Sequence, residues 1–463
     1  MNIFSFELKR QRANSRVTFQ LRLAAFRALE RFSAWLRPSP AGALSPPPDS
    51  AHPAAASLWV FASTIGEINA IEPFLRRVME ELGNPALTLI SDRSIYNQAY
   101  LAKFPTSHVE QLDGSTRQVQ RLTARRPPLM LMLAEIPALL HDAPCRFSFA
   151  AVQAAREAGA PVILVNGWLY GYAPPSRLDR IEKRLFARAY AAAFDLAFVQ
   201  TTGVRNRLIR AGANPKAVHV TGNLKFDAMA PMAVDPRASD IHAALVRRQA
   251  AFKSTVIVAG SVTETSHQQG IVDSFVQFQQ TEPGAFLVLA PRHPEDQPRM
   301  AALRALLERS ALDCRFRSEG EAAYATAGDV MVLDTMGELQ GCYAAADLAF
   351  VGVDHNVLEP LAFGKPVFVC DEWEPTYPSY PVYTSLLQHG GLQRVSDYTE
   401  LGAAWTTFRV NPRAGLSGSA TAQRTETVLA GLRGACEKNI LLMRQAGMFR
   451  RAPHLKPDAT LFL

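Results

Sequence analysis

The feature that most restricts what this chain can fold into is a rhythm of short apolar runs separated by segments with helical periodicity. Runs lie at 58–63 (LWVFAS), 86–90 (ALTLI), 129–134 (LMLMLA), 161–165 (PVILV) and 196–200 (LAFVQ). Segments such as IEPFLRRVMEEL and RIEKRLFARAYAAAF fall between them. Strands of a parallel sheet are covered on both faces and read as continuous apolar runs, so this alternation predicts βαβ units. A short run at 217–223 (AVHVTGN) and a Pro-rich segment at 231–236 follow. The rhythm then restarts at 255–259, 285–290, 330–333, 348–352 and 366–369. Two series of similar size predict an α/β fold of two doubly wound domains facing a cleft. The expected boundaries are 58–230 for the first domain, 231–245 for a linker and 246–420 for the second domain, with a C-terminal helix and tail at 421–463.

Charge is concentrated at one end. Residues 1–37 carry eight Lys/Arg against two Glu, a net +6, and the whole chain is +7, so the other 426 residues are nearly neutral. A nucleic-acid channel places its charge on the folded domains, and no nucleic-acid partner is expected here. Residues 16–37 read as an amphipathic helix, with Leu21, Ala25, Leu29, Phe32 and Leu36 on one face and Arg16, Arg27 and Arg31 roughly opposite. A basic helix of this kind suits an anionic membrane surface, and it also fits a helix packed on the body. The segment 38–57 is Pro/Ala/Ser-rich and reads as a linker. No apolar run reaches 18 residues, and no apolar core precedes a small-residue cleavage site, so neither a spanning helix nor a signal peptide is expected. Cys145, Cys314, Cys342, Cys370 and Cys436 are scattered without CxxC spacing, which suits reduced thiols in the cytoplasm and no cysteine zinc site.

In doubly wound sheets ligands sit outside the carboxyl ends of strands, so the loops after the apolar runs are where chemistry is sought. STIGEINA (63–70) puts Glu67 in the first turn of a helix, either as a helix-dipole carboxylate or as a general base. AEIP brings Glu135 to the same rim, and NGWLYGY (166–172) presents an amide and three aromatic rings. TGNLKFD (221–227) carries Asn223 and Lys225 to the junction of the domains, where a lysine either meets an anion or stays solvated. In the second half, AGSVTETSHQQ (259–269) contains Ser261 and opens a helix whose backbone N–H groups suit phosphate. APRHPED (290–296) places Arg292 and His293 after a strand, and DTMGELQ (334–340) gives a turn with Gly337 and Glu338. VGVDHNVLEPLAFGKPV (351–367) adds His355, Asn356 and Glu359. Four polar loops at consecutive strand ends of one domain suggest a nucleotide pocket.

The segments STIGE, VILVNGWL, VQTTGVRNRLIRAGA, VHVTGNLKFD, LVLAPRHPE, VLDTMGELQGCYAAADLAFVG and HNVLEPLAFGKPV, in this order over roughly residues 58–370, resemble the 3-deoxy-D-manno-octulosonic acid (Kdo) transferases of lipopolysaccharide core biosynthesis. The resemblance implies a GT-B glycosyltransferase with two Rossmann-like domains, acceptor-side first and donor-side second. It implies a CMP-activated sugar donor, a lipid-linked saccharide acceptor such as a lipid A precursor, and no metal or other cofactor. It further implies a peripheral place on the cytoplasmic face of the inner membrane of a Gram-negative bacterium, reached through residues 1–37. Glu67 matches the family's general base, Glu135 a second glutamate near the acceptor, and Asn223 and Lys225 the motif beside the donor. Ser261, Arg292, His293, Gly337, Glu338, His355, Asn356 and Glu359 fall on the donor side.

The chain departs from the family pattern on the acceptor side, where AEIPALLHDAP and NGWLYGY replace the usual loops. It departs again before His355, where only Val353 and Asp354 stand in place of a longer glycine-containing segment. An aspartate there faces an anionic donor unless it is turned away or paired. A UDP-sugar transferase or epimerase of the same fold, and a non-catalytic membrane-tethered paralogue, are the competing readings.

Overall fold

In the computed structural model, the residues described are 28, 56–91, 94–112, 116–135, 145–168, 186–229, 234–320, 328–375, 377, 379–410 and 418–449. The expected amphipathic helix and Pro/Ala linker lie outside them, residue 28 and the last two linker residues apart. The chain forms two compact units, one of residues 1–228 with 434–463 and one of residues 229–433.

The first unit holds seven strands: β1 (Ser57–Phe61), β2 (Ala86–Ser91), β3 (His108–Gln111), β4 (Pro128–Ala134), β5 (Val162–Gly167), β6 (Leu196–Val199) and β7 (Val218–Val220). They form one sheet in the order β3-β2-β1-β4-β5-β6-β7, with every pairing parallel. Alternate residues of β1 explain why the run is apolar throughout. Trp59 and Phe61 enter a cluster on one face, and Leu58 and Val60 enter a cluster on the other. All four are at most 2 % exposed. The helix Ile65–Glu81 and the last helix, Ala435–Gln445, contribute to the second cluster through Ile68, Phe74, Ile440 and Met443.

The second unit repeats the plan with β8 (Val256–Val262), β9 (Phe286–Pro291), β10 (Cys314–Phe316), β11 (Val330–Val332), β12 (Leu348–Val351), β13 (Val367–Val369) and β14 (Gln393–Arg394). Its order is β10-β11-β9-β8-β12-β13-β14, again all parallel. The chain-order reversal falls between β1 and β4 in the first sheet and between β8 and β12 in the second. Those are the switch points at which loops diverge and leave a crevice.

Two expected boundaries come out differently. Residues 239–245, placed in a linker, are the first half of the helix Ser239–Phe252, which buries Ile241, Ala244 and Leu245. The single C-terminal helix expected within 421–463 is two helices, Gly418–Leu432 and Ala435–Gln445. Gly434 adopts φ 109 between them, a conformation that breaks a helix and that glycine enters without steric cost. Three strands escape the apolar-run criterion altogether: β3, β10 and β14, which lie at sheet edges and are short and partly exposed.

Candidate active site

In the first unit, the side chains that follow the strands bind one another. Thr64 caps the helix after β1, its Oγ1 accepting from Glu67 N–H at 3.3 Å. The Glu67 carboxylate, 4 % exposed, reaches back so that Oε2 accepts from Ser63 N–H at 2.7 Å. This reciprocal arrangement resembles a capping box shifted by one residue, and it fixes the carboxylate at the carboxyl end of β1. Across the switch point, Glu135 follows β4 with φ 49, a left-handed conformation that costs a non-glycine residue on the order of 1 kcal/mol or more. Its backbone is held on both sides: its N–H donates to Val165 C=O at 2.8 Å, and its C=O accepts from Trp168 N–H at 2.6 Å.

The Glu135 side chain, 3 % exposed, starts a closed circuit. Oε1 accepts from Lys225 Nζ at 3.0 Å and from Asn166 Nδ2 at 2.9 Å. Asn166 accepts in turn from Leu224 N–H through Oδ1 (2.9 Å) and from Gln200 Nε2 through its backbone carbonyl (3.0 Å). Gln200 Oε1 accepts from Asn223 Nδ2 at 3.0 Å, and Asn223 Oδ1 accepts from Lys225 N–H at 3.0 Å. The ring therefore runs Glu135, Asn166, Gln200, Asn223, Lys225 and back to Glu135. It ties together the ends of β4, β5 and β6 and the turn after β7.

In the second unit the residues open outward. Arg292 and His293, after β9, are exposed, and His293 Nδ1 lies 3.2 Å from Glu295 Oε1. Gly337 turns with φ 92 in an exposed position. Glu338 is tied locally, accepting from Arg317 Nη2 at 2.9 Å and from Thr335 Oγ1. Asn356 is exposed and starts the short helix Leu358–Ala362, its Oδ1 accepting from Leu358 N–H at 3.1 Å. Glu359 accepts no hydrogen bond from any described residue, and burial raises its pKa. The Glu359 and Glu338 charges also push up the thiol of the intervening Cys342, whose pKa is raised first by burial.

His355 sits at the switch point of this sheet, its Nε2 3.1 Å from Thr263 Oγ1. Burial, followed by the positive charges of Arg292 and His293, lowers its pKa to about 4, so it is neutral at ordinary pH. The two strands beneath it approach closely. A methyl group at Gly352 would lie 2.3 Å from the Ser261 carbonyl oxygen, and one at Gly260 would lie 1.9 Å from Tyr343 Oη. Ser261 itself takes φ 58 and is half-buried.

The short link before His355 resolves the question raised by Asp354. The residue adopts φ 66, and Oδ1 accepts from Glu374 N–H at 2.8 Å. Its backbone carbonyl accepts from Ser379 Oγ at 2.9 Å. Burial, then the Glu374 charge, raises its pKa against the lowering effect of that backbone bond. The carboxylate is thus paired with the segment after β13.

Comparison with known proteins bears on what these loops serve. The family model for 3-deoxy-D-manno-octulosonic-acid transferase (kdotransferase) matches residues 148–228. The Kdo transferase of Bordetella pertussis is 31% identical over 337 residues, covering 68% of this chain and 72% of that protein. The chain belongs to the Kdo transferase family. It is accordingly a glycosyltransferase. The family's Aquifex aeolicus member is 27% identical over 318 residues, covering 67% of this chain and 75% of its own length. Among solved structures, a putative UDP-N-acetylglucosamine 2-epimerase from Listeria monocytogenes has a TM-score of 0.57 at 14% identity, covering 86% of this chain and 98% of that one. A glycosyltransferase from Rickettsia africae has a TM-score of 0.56 at 10% identity, covering 86% of this chain and 100% of that one. These likenesses show the GT-B fold.

Within the Kdo transferase family pattern, sequence reasoning singled out Glu135, Asn223 and Lys225, noted the Asn166 amide without giving it a partner, and passed over Gln200. Gln200 closes the apolar run LAFVQ and Asn166 opens NGWLYGY, so a polar residue at a strand's last position was the available signal. Arg317, which holds Glu338, lies in a 3-10 turn after the edge strand β10, and nothing in its surrounding sequence marks it.

Proposed function

We propose that this chain transfers Kdo, or a related acidic sugar, from its CMP-activated form to a lipid A precursor or similar saccharide acceptor. The observation that carries the reading is that GNLKFD, PRHPE, DTMGEL and HNVLEP all follow strands at the carboxyl ends of their sheets, in a chain 31% identical to a Kdo transferase. On this reading the second unit takes the donor. Arg292 meets the phosphodiester or the sugar carboxylate, and the backbone at Gly337 approaches the nucleotide. The Glu359 carboxylate is suited to the two ribose hydroxyls, which would supply the donors it lacks among the described residues. Ser261, His293, Glu338, His355 and Asn356 shape the same pocket.

The first unit takes the acceptor. Glu67 removes the proton from the attacking hydroxyl as the new bond forms at the anomeric carbon. The bond from that carbon to the phosphate oxygen breaks on the opposite face, so configuration inverts and CMP departs. General-base catalysis contributes about 10²- to 10⁴-fold. The leaving charge is held by side chains and backbone N–H groups, without a metal. The basic segment 1–37 holds the enzyme at the cytoplasmic face of the inner membrane. No helix among the described residues is long and apolar enough to cross a membrane.

The test is turnover of CMP-Kdo with a lipid A precursor by the full chain, with and without EDTA. Wild type is expected to turn over in both conditions. Glu67→Ala is expected to lose about 100-fold or more in kcat while still binding CMP. Wild-type binding of CMP without turnover would point to a non-catalytic paralogue, and tight UDP binding in place of CMP to a UDP-sugar enzyme. Vesicle co-sedimentation with and without residues 1–37 tests the membrane role, which fails if both forms bind equally.

A further inference from the structure

The closed circuit in the first unit uses two residues to which the family resemblance gives no role, Asn166 and Gln200. We infer that Asn166 and Gln200 are positioning residues that hold the Lys225 ammonium against Glu135 and present it as the binding group for an anionic part of a substrate, a phosphate or carboxylate. The inference rests on the transferase reading proposed above.

Three features support it. First, every ring member except Lys225 is almost completely inside: Asn166 is 1 % exposed, Glu135 3 %, Asn223 5 % and Gln200 6 %. The Lys225 side chain keeps 23% of its surface exposed. A buried carboxylate and three buried amides at strand ends are costly unless each finds partners, and here they find them in one another. Second, the amide orientations are dictated. Asn166 must donate to a carboxylate through Nδ2 and accept a backbone N–H through Oδ1. Gln200 must donate to a carbonyl and accept from Asn223. No flipped arrangement satisfies all four. Third, both Glu135 and Asn166 are held at positive φ, 49 and 54, and such strain concentrates where a side chain must be aimed.

The chemistry follows from the proton count. Of the three ammonium hydrogens of Lys225, one is taken by Glu135 at 3.0 Å, and no other described residue accepts from the remaining two. Glu135 fixes the direction of the ammonium, so a ligand oxygen can be met without reorienting the lysine. The same geometry gives Asn223 an inward role: both ends of its amide are engaged within the ring.

The experiment uses the full-length protein and two variants, Gln200→Met and Gln200→Glu. Gln200→Met is close in volume and removes both of its hydrogen bonds. Gln200→Glu keeps the acceptor for Asn223 but loses the donor to the Asn166 carbonyl, and regains that donor when its carboxyl is protonated. Lys225 reactivity is read by competitive acetylation and peptide mass spectrometry, which needs no turnover. Kinetics with CMP-Kdo and a lipid A precursor are read alongside, with thermal unfolding as a check on folding.

Gln200→Met is expected to raise Lys225 labelling at least threefold and to lower kcat/KM about tenfold. Gln200→Glu should do the same at pH 8 and return toward wild type as pH falls and its carboxyl protonates, a recovery that general damage to the fold does not produce. Wild-type labelling and kinetics in Gln200→Met overturn the inference. So do losses in Gln200→Glu that are the same at every pH. If the variants alter Lys225 labelling as expected and the wild type transfers no sugar, the ring's positioning role stands and the transferase reading falls.

Discussion

The two switch points of this molecule are built in opposite ways. In the first unit, the polar groups beyond the strands satisfy each other: Glu67 on Ser63, and Glu135, Asn166, Gln200, Asn223 and Lys225 in a ring. In the second unit Arg292, His293, Gly337 and Asn356 are exposed, and Glu359 lacks a donor among the described residues. A site whose groups are already paired is rigid before ligand arrives. One whose groups face solvent, or lack a donor as Glu359 does among the described residues, is open to completion by a ligand. The contrast separates stability from binding: removing the Glu135 carboxylate from the ring should cost folding free energy, and removing the exposed Arg292 should cost affinity.

The largest break in that contrast comes from Glu135→Ala. It orphans the buried Asn166 Nδ2 and leaves Lys225 without its counter-ion, and it should destabilise by about 2–3 kcal/mol. Denaturant unfolding checks this. A loss below about 0.5 kcal/mol would mean the ring is not what holds the strand ends.

His355 should give a smaller effect with a definite sign. Its folded pKa, about 4, lies below the ordinary value of 6.5, so between these values the unfolded chain binds more protons than the native one. Stability from this group is therefore complete above about pH 6.5 and is lost as pH falls through 4. The loss should be on the order of 2 kcal/mol once partial exposure is allowed for. His355→Gln should flatten that limb of the stability–pH curve, and an unchanged slope would remove the effect from His355.

Arg292→Ala sharpens the comparison from the other side. Because the guanidinium is exposed, unfolding should change by less than about 0.5 kcal/mol. CMP-Kdo affinity should fall about tenfold, equivalent to about 1.4 kcal/mol, by calorimetric titration. The smallest effect belongs to Asp354. Asn keeps the acceptor for Glu374 N–H and tolerates φ 66, so Asp354→Asn should be nearly neutral in stability. Asp354→Ala should cost about 1 kcal/mol and speed exchange of the Glu374 amide. Equal behaviour of the two variants would show that the tie to Glu374 contributes nothing.

Much of the fold was legible because a buried parallel strand has no polar face to conceal it. β1, β2, β4, β5 and β6, and β8, β9, β11, β12 and β13, have ends within three residues of those of apolar runs. β3, β10 and β14 were invisible because edge strands need be neither long nor apolar, and HVEQ, CRF and QR carry no alternation. The candidate site residues were legible for a related reason: a polar residue directly after an apolar run has the carboxyl end of a strand beneath it.

The sequence by itself determined two doubly wound α/β units, the loops in which polar chemistry collects, and the family, because periodicity and motif spacing are local properties of the chain. Only the tertiary structure decided that Asn166 and Gln200 link Glu135 to Asn223 and Lys225, and that Asp354 turns to the Glu374 amide. It alone showed that Glu338 is held by Arg317. Those partners lie 20 to 58 residues apart along the chain. Hydrogen bonds of that span are set by which strands lie side by side at a switch point, and strand order is fixed by packing over the whole sheet.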